Sequence, residues 1–600
     1  MQGEKVRFVL AVVTLVVAAL LVLLGLGQRT VFAPPDSVTS SVVTKSGATL
    51  TVLPGKALKG YPGRETISIS GGAKVFAAYA RTADVKGWVG DTTYNSISFD
   101  TTTNELVSKT VKGSSAKAPD PAGSDLWLQQ YQGETLSIPL DAPSDISLLI
   151  ASDGSTAAPS KVSVTWPLST ATPLVGPLVA GGLLVFVIGI LLFVWAIVHH
   201  RRTRGPRRTS GTGGKRPKLP RSERPRSVRQ GRKAALGSGS SGGAVEGRGR
   251  RGRRLIAVVP VILVSSIALA GCSSQYWPQF SSDSSSSAAT PSAPTTTAPA
   301  QAAALQPPAV TVGQAKEILS RITAVQTKAD TDLDATLAAT RFTGSALAER
   351  SANYAIRKAD STAAGPLTIP TGKLDVTLPQ QTNSWPRTVF AVVQTTSAAV
   401  GVTLLQPTAR DPYKVEYLVG LDGAQVPKLP AASVGAARLA PDVKLLTMEP
   451  DQLAAAYADI LKNGDASTEA AKFQATGDTL RDKIGKPYKD AKQAALPTTA
   501  SIAYSSEVSS DPSVALATFD AGAIVSVSLD EIETVTPTKA GAQVNPEGEV
   551  KALSGLSQTT KGITATYGVQ LLFSVPPVGS TDKIVLLGFS QGLISAKEVP

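Results

Sequence analysis

The chain reads as a multidomain membrane protein: an all-β sandwich ectodomain and a tandem α+β ectodomain, with two or three transmembrane helices. Three observations predict this. Apolar runs at 8–27, 174–198 and 255–271 interrupt an otherwise polar chain. Residues 38–168 alternate with the period of strands. Residues 311–600 twice repeat one order, helix-period segments and then strand-period segments. At 600 residues the chain also exceeds what a single core organises.

The first apolar run follows a short N-terminus, 1–7, that carries Lys5 and Arg7. Twenty residues without charge are long enough to cross the hydrocarbon layer. That length favours a retained helix over a cleaved secretory signal, for which Ala33 lies near a suitable cleavage point. The second run, 174–198, ends with Phe193 and Trp195, suited to a membrane interface, and with His199 and His200 in its basic flank. Between it and the third run, residues 201–254 hold 19 Lys/Arg and two acids. That segment is +17, so the rest of a chain of net charge +14 is −3. The positive-inside rule makes 1–7 and 199–254 cytoplasmic and 28–173 and 272–600 extracytoplasmic. A loop so poor in apolar residues is expected to be disordered and to lie against anionic lipid. It has no aromatic residues for base stacking, so nucleic acid is not the expected partner.

The third run is 17 residues long and contains Pro260, short for a span and right for a signal. It follows Arg248–Arg254 and ends Leu269, Ala270, Gly271, Cys272, the only cysteine of the chain. This resembles a bacterial lipoprotein signal, which implies lipid attachment at Cys272 and membrane lipid as a partner. Two acyl chains make a stable anchor. Residues 272–310, rich in Ser, Thr, Pro and Ala, read as an extended linker of about 35 Å r.m.s. span.

Within 28–173, strands are expected around Ser41, Thr49, Thr66, Tyr94, Glu134, Asp145 and Lys161, separated by Gly, Pro, Ser and Asp clusters. Seven or more such strands predict an antiparallel sandwich, with no helix. Trp88, Trp127 and Trp166 are expected in the core or at a membrane interface, with a sugar-stacking platform as the alternative.

The α+β region divides at 311–445 and 446–600. Thr311 and Gln314 form a capping box ahead of a stripe of Val312, Ala315, Ile318, Leu319, Ile322 and Val325. The second half opens at Pro450, carries Leu453, Tyr457, Ile460 and Leu461 on one face, and has Gly464 as a stop. Helices followed by a meander resemble the cystatin/NTF2-like pattern in tandem. The segments Gly344–Tyr354, Ser384–Arg387 and Tyr567–Pro577 resemble a family of uncharacterised actinobacterial cell-envelope proteins, a domain of unknown function. The resemblance implies envelope location and transfers no activity.

The composition excludes several chemistries. With two histidines and one cysteine, no zinc or copper site, no cofactor and no His-dependent nucleophile is expected. Gly588–Gly592 fits a nucleophile elbow around Ser590, but no histidine follows it. Ser580/Lys583 and Ser114/Lys117 match an S-x-x-K spacing in turns rather than at helix starts. The expected function is non-enzymatic: an envelope protein presenting binding or scaffold modules to wall polymer or envelope proteins. The alternatives are a small-ligand or wall-polymer binding lipoprotein and a carboxylate-based extracytoplasmic hydrolase.

Overall fold

A computed structural model describes residues 2–31, 35–141, 143–168, 174–202, 307–422, 427 and 429–600. The basic loop beyond 202, the third apolar run, Cys272 and nearly all of the linker lie outside the described residues. The described residues fall into two compact units, one lying within 1–36 and 169–294, the other within 37–168 and 295–600.

The first unit begins with α1 (Gln2–Thr30). The second unit begins with ten strands: β1 (Ser37–Val43), β2 (Leu50–Pro54), β3 (Glu65–Ser70), β4 (Val75–Arg81), β5 (Tyr94–Asp100), β6 (Glu105–Val111), β7 (Gln129–Gly133), β8 (Leu136–Leu140), β9 (Ile146–Ala151) and β10 (Lys161–Pro167). They form a four-stranded sheet, β1-β10-β3-β8, and a six-stranded sheet, β6-β5-β2-β9-β4-β7. Every pairing is antiparallel except β2 with β5. Alternation decides the four-stranded sheet. Ile67 and Ile69, and Val162, Val164 and Trp166, enter a core shared with Val75, Ala77, Leu148 and Ile150 of the other sheet. Their neighbours Ser68, Ser163 and Thr165 face outward.

The six-stranded sheet is covered on both faces, which is why β9 is buried at every position. Two features are absent from the sequence expectation: α2 (Gly55–Leu58), whose Ala57 and Leu58 join the core shared by the two sheets, and α3 (Thr82–Val89), which covers the second face. Val85, Trp88 and Val89 give α3 an apolar stripe onto Leu149 and Ala151. Eight residues are too few for a helical period to stand out between strands.

The helix α4 (Val175–Arg202) completes the first unit by packing antiparallel on α1. Both helices are long and apolar enough to cross a membrane, over Phe8–Thr30 and Val175–His199. Small residues set the contact. Ala11, Ala18 and Gly25 recur every seven residues on α1, as do Gly182 and Gly189 on α4. A Cβ on Gly25 would fall 2.7 Å from Val179, one on Gly182 2.7 Å from Val22, and one on Gly189 2.9 Å from Leu15. Phe8 and Phe193 stack with centroids 5.4 Å apart. A seven-residue small-residue seam lets two apolar helices approach closely.

The rest of the second unit starts with α5 (Val312–Asp332), whose capping box between Thr311 and Gln314 is formed. Its buried face carries Ala315, Ile318, Leu319 and Ile322, but Gln326 replaces Val325 there and bonds both backbone groups of Ile369. Next come α6 (Ala335–Ala338), α7 (Gly344–Ala359), β11 (Lys373–Pro379), β12 (Arg387–Gln394), β13 (Ala399–Gln406), β14 (Lys414–Leu421) and β15 (Arg438–Leu439). A short turn at Pro450 leads into α8 (Leu453–Asn463), which Gly464 ends with φ +59°. Then follow α9 (Thr479–Ile484), α10 (Lys486–Ala494), β16 (Ala500–Val508), β17 (Val514–Ala517), β18 (Ala523–Pro537), α11 (Gly548–Ser554), β19 (Ile563–Val575) and β20 (Val585–Glu598).

Both helix-then-strand segments feed one ten-stranded sheet, ordered β11-β12-β13-β14-β20-β19-β18-β17-β15, with β16 also on β18. β14 and β20 join the halves at Gly420↔Phe589 and Leu421↔Gly588. Gly588 permits this, since a Cβ there would sit 2.4 Å from the Gly420 carbonyl. The sheet is strongly coiled: Thr403 on β13 and Ser526 on β18 hydrogen-bond at 2.8 Å although three strands lie between them. Its inner face is filled by Leu378, Phe390, Val392, Leu516, Ile524, Leu572 and Leu587. The outer face carries α5 over one half and α8 over the other.

Candidate functional site

Within the second unit, the sandwich and the coiled sheet meet along a charged seam. On the sandwich side, β4 runs directly into α3, placing Arg81 and Asp84 three residues apart. Arg81 grips the Asp84 carboxylate as a fork, at 2.8 and 2.9 Å. Arg387, at the start of β12 and 303 residues away, donates its Nη2 to the same carboxylate at 2.6 Å. Asp84 and Arg387 are 1% and 0% exposed. Arg81 also donates to the carbonyls of Pro308 and Ala309, at 2.7 and 3.0 Å.

Trp385 flanks this pair. The Arg387 guanidinium lies 3.7 Å from its ring centroid, and its indole N–H donates to Gln406 at 2.9 Å. The far edge of the ring lies over Gly87 of α3, where a Cβ would come within 2.3 Å. Arg410 closes the other end of α3, donating to the carbonyls of Trp88 (2.9 Å) and Val89 (2.8 Å) and to the Thr92 hydroxyl (2.8 Å). Those carbonyls belong to the last helical turn, where a cation is favoured.

A second charge knot centres on Asp125. Its carboxylate accepts from Arg341 at 2.6 Å, Arg321 at 3.0 Å and the Tyr413 backbone N–H at 2.8 Å. Every one of these donors lies beyond residue 310. Beside it the Gln314 amide donates to the Leu126 carbonyl at 3.0 Å. A buried carboxylate deprived of its partners costs about 3–5 kcal/mol, so each lobe carries charges that only the other satisfies.

Two further polar clusters lie inside the coiled-sheet lobe. Glu349 of α7 accepts from Ser590 at 2.9 and 3.0 Å and from Gln570 at 2.7 Å, while Gln570 accepts from the Leu418 N–H at 2.8 Å. Burial pushes the Glu349 carboxyl up against the opposing pull of those donors. The adjoining cavity is about 10 Å³, the space of at most one water. The second cluster is Glu416 with Asp511. Asp511 caps α7 from outside, accepting the Ser345 N–H at 2.6 Å and the Ser345 hydroxyl. Glu416 is 4% exposed and approaches the bare Gly344, where a Cβ would meet its carboxyl at 2.5 Å. Burial, with Asp511 beside it, pushes Glu416 up to about 7.

The residues singled out from the sequence fall as follows. Cys272 lies outside the described residues. Ser590 sits inside β20, not on a strand-to-helix turn, and its two glycines have packing reasons: Gly588 meets β14, and a Cβ on Gly592 would strike Glu349 at 2.5 Å. Ser580 bonds Asp582 in a turn, and Ser114 bonds Asp91, whose carboxyl is held below its usual range by that hydroxyl. Trp88, Trp127 and Trp166 are all buried, which overturns the sugar-stacking alternative. Among the described residues no group of three or more His, Cys, Asp or Glu is placed to hold a metal ion. Composition and spacing did not reveal the seam. The only trace was Ser384–Arg387, one of the resemblance segments, which supplies both Trp385 and Arg387.

Residues 306–598 match a family described as Domain of unknown function (DUF8094). The match agrees with the resemblance to an uncharacterised domain family and spans α5 through β20. No curated protein and no solved structure matches the chain.

Proposed function

We propose that this protein is a membrane-anchored scaffold of an actinobacterial-type cell envelope, presenting a two-lobed body on the outer face of the cytoplasmic membrane. The observation that carries the reading is the seam. Lobes that interlock through buried charges occupy one side of any membrane the chain crosses. α4 separates them in sequence, so a single crossing there requires a return between 203 and 306. The apolar run 255–271 has the composition for that return. The cations of 201–254 then face the cytoplasm, and 28–173 and 272–600 face outward.

On this reading membrane lipid is bound through the helices and a lipid on Cys272, and anionic lipid through the basic loop. Wall polymer or envelope proteins are the partners of the lobes. Each half of 311–600 is read as cystatin/NTF2-like, the two merged through one sheet. The filled inner face of that sheet favours a scaffold over a small-ligand carrier. Glu416 and Asp511 are the acid pair a carboxylate hydrolase would use, but Glu416 faces the backbone of α7 rather than a groove.

Single cysteines test the topology in a Cys272→Ser background, at Ser137 and Thr581 in the lobes and at Ser227 in the loop. An impermeant thiol reagent on intact cells is expected to label the first two and spare the third. Labelling of one lobe without the other would refute the reading. Metabolic lipid labelling of the wild type, lost in Cys272→Ser, tests the anchor; an unlabelled full-length wild-type chain would remove it.

A further inference from the structure

We infer that the seam is a self-sufficient docking interface: the surface built by Trp385, Arg387, Arg410, Arg341 and Arg321 recognises the sandwich as a separable partner. The two lobes would therefore remain one complex after the chain between them is severed. Three observations carry this. First, complementarity is split between the lobes. All the donors to Asp125 come from beyond residue 310, and Arg410 satisfies the C-terminal carbonyls of α3. Second, the contact has the composition of a specific interface: Arg387, fully buried, and Trp385, part-buried, lie at its centre, with Arg341, Arg321 and Arg410 around them, the arginines all aimed at fixed carboxylates and carbonyls. Third, shape agrees with charge, because Trp385 fits α3 only where Gly87 leaves no side chain. None of these contacts uses a residue between 169 and 306. The inference rests on the same seam as the topology proposed above, but not on which side of the membrane the lobes occupy.

The test inserts a site for a sequence-specific protease between Ala300 and Gln301 of the full-length protein. Membranes carrying it are cleaved and sedimented. The fragment beginning at Gln301 contains neither α1 nor α4 nor Cys272, so only the seam holds it to the pellet. Retention in the wild type is expected. Gly87→Leu, which obstructs Trp385 without touching a charge, is expected to raise the released fraction at least about tenfold. Asp125→Asn, which weakens the second knot, should release the fragment in the same direction, and unchanged circular dichroism of the released fragment shows that it stays folded. Release of the wild-type fragment overturns the inference. So does full retention in the Gly87→Leu, Asp125→Asn double variant, because something other than the seam would then be holding it. Release of the wild-type fragment with both lobes labelled would overturn this inference alone, whereas labelling of one lobe without the other would remove the seam and both readings with it.

Discussion

Glu416→Gln should stabilise this protein at alkaline pH and leave it nearly unchanged in acid. In the folded chain the Glu416 carboxyl is raised from 4.5 to about 7, by burial first and by the neighbouring Asp511 second. A raised carboxyl holds its proton more tightly in the native state than in the unfolded chain. The native state is therefore unburdened below the unfolded value near 4.5, and stability falls as pH rises through about 7, where the buried group ionises beside Asp511. At about 1.4 kcal/mol per pH unit the full effect is about 3 kcal/mol. Asp511 is only half-buried, and screening there reduces this to about 2 kcal/mol. The amide keeps the shape and removes the ionisation. Thermal unfolding of the detergent-solubilised full chain, read at pH 5 and pH 8.5, is the assay. Midpoints should agree within about 1 °C at pH 5, and the variant should unfold about 2 °C higher at pH 8.5. Equal pH slopes for variant and wild type would show that Glu416 is not the group responsible.

Three further outcomes follow from the same geometry. Asp125→Ala leaves Arg321, Arg341 and the Tyr413 N–H without their shared acceptor, and should cost about 3–5 kcal/mol in denaturant unfolding; a loss under about 1 kcal/mol would place Asp125 in solvent. Ser590→Ala removes a donor to the buried Glu349 and should cost about 2 kcal/mol, while wild-type Ser590 should not react with a fluorophosphonate probe; labelling that disappears in the variant would restore it as a nucleophile. In the Phe8→Cys, Phe193→Cys protein, oxidation should link α1 to α4, and Gly182→Leu together with Gly189→Leu should abolish the link; a persistent link would refute close packing on the glycines.

Local pattern made much of the chain legible. The capping box at Thr311, the Gly464 stop and the strands around Thr66, Asp145 and Lys161 each depend on neighbours within a few residues, so a linear reading reaches them. The short helix α3 was missed for the opposite reason. Its eight residues lie between two strands, and its apolar stripe exists only because the six-stranded sheet is covered on that face. The Gly588–Gly592 motif misleads in sequence because glycine has more than one use. Here both glycines relieve close approaches, to Gly420 and to Glu349, which no local rule foresees.

By itself the sequence determined the two apolar helices, the alternation of the sandwich and the two rounds of helices and strands, all set by short-range periodicity and length. Tertiary structure alone decided which charges matter. Asp84 and Asp125 look in sequence like any exposed acids, and Arg387 like any surface cation. Their meeting depends on backbones hundreds of residues apart being brought within 3 Å and dried together, where an unpaired charge is expensive and a paired one is specific.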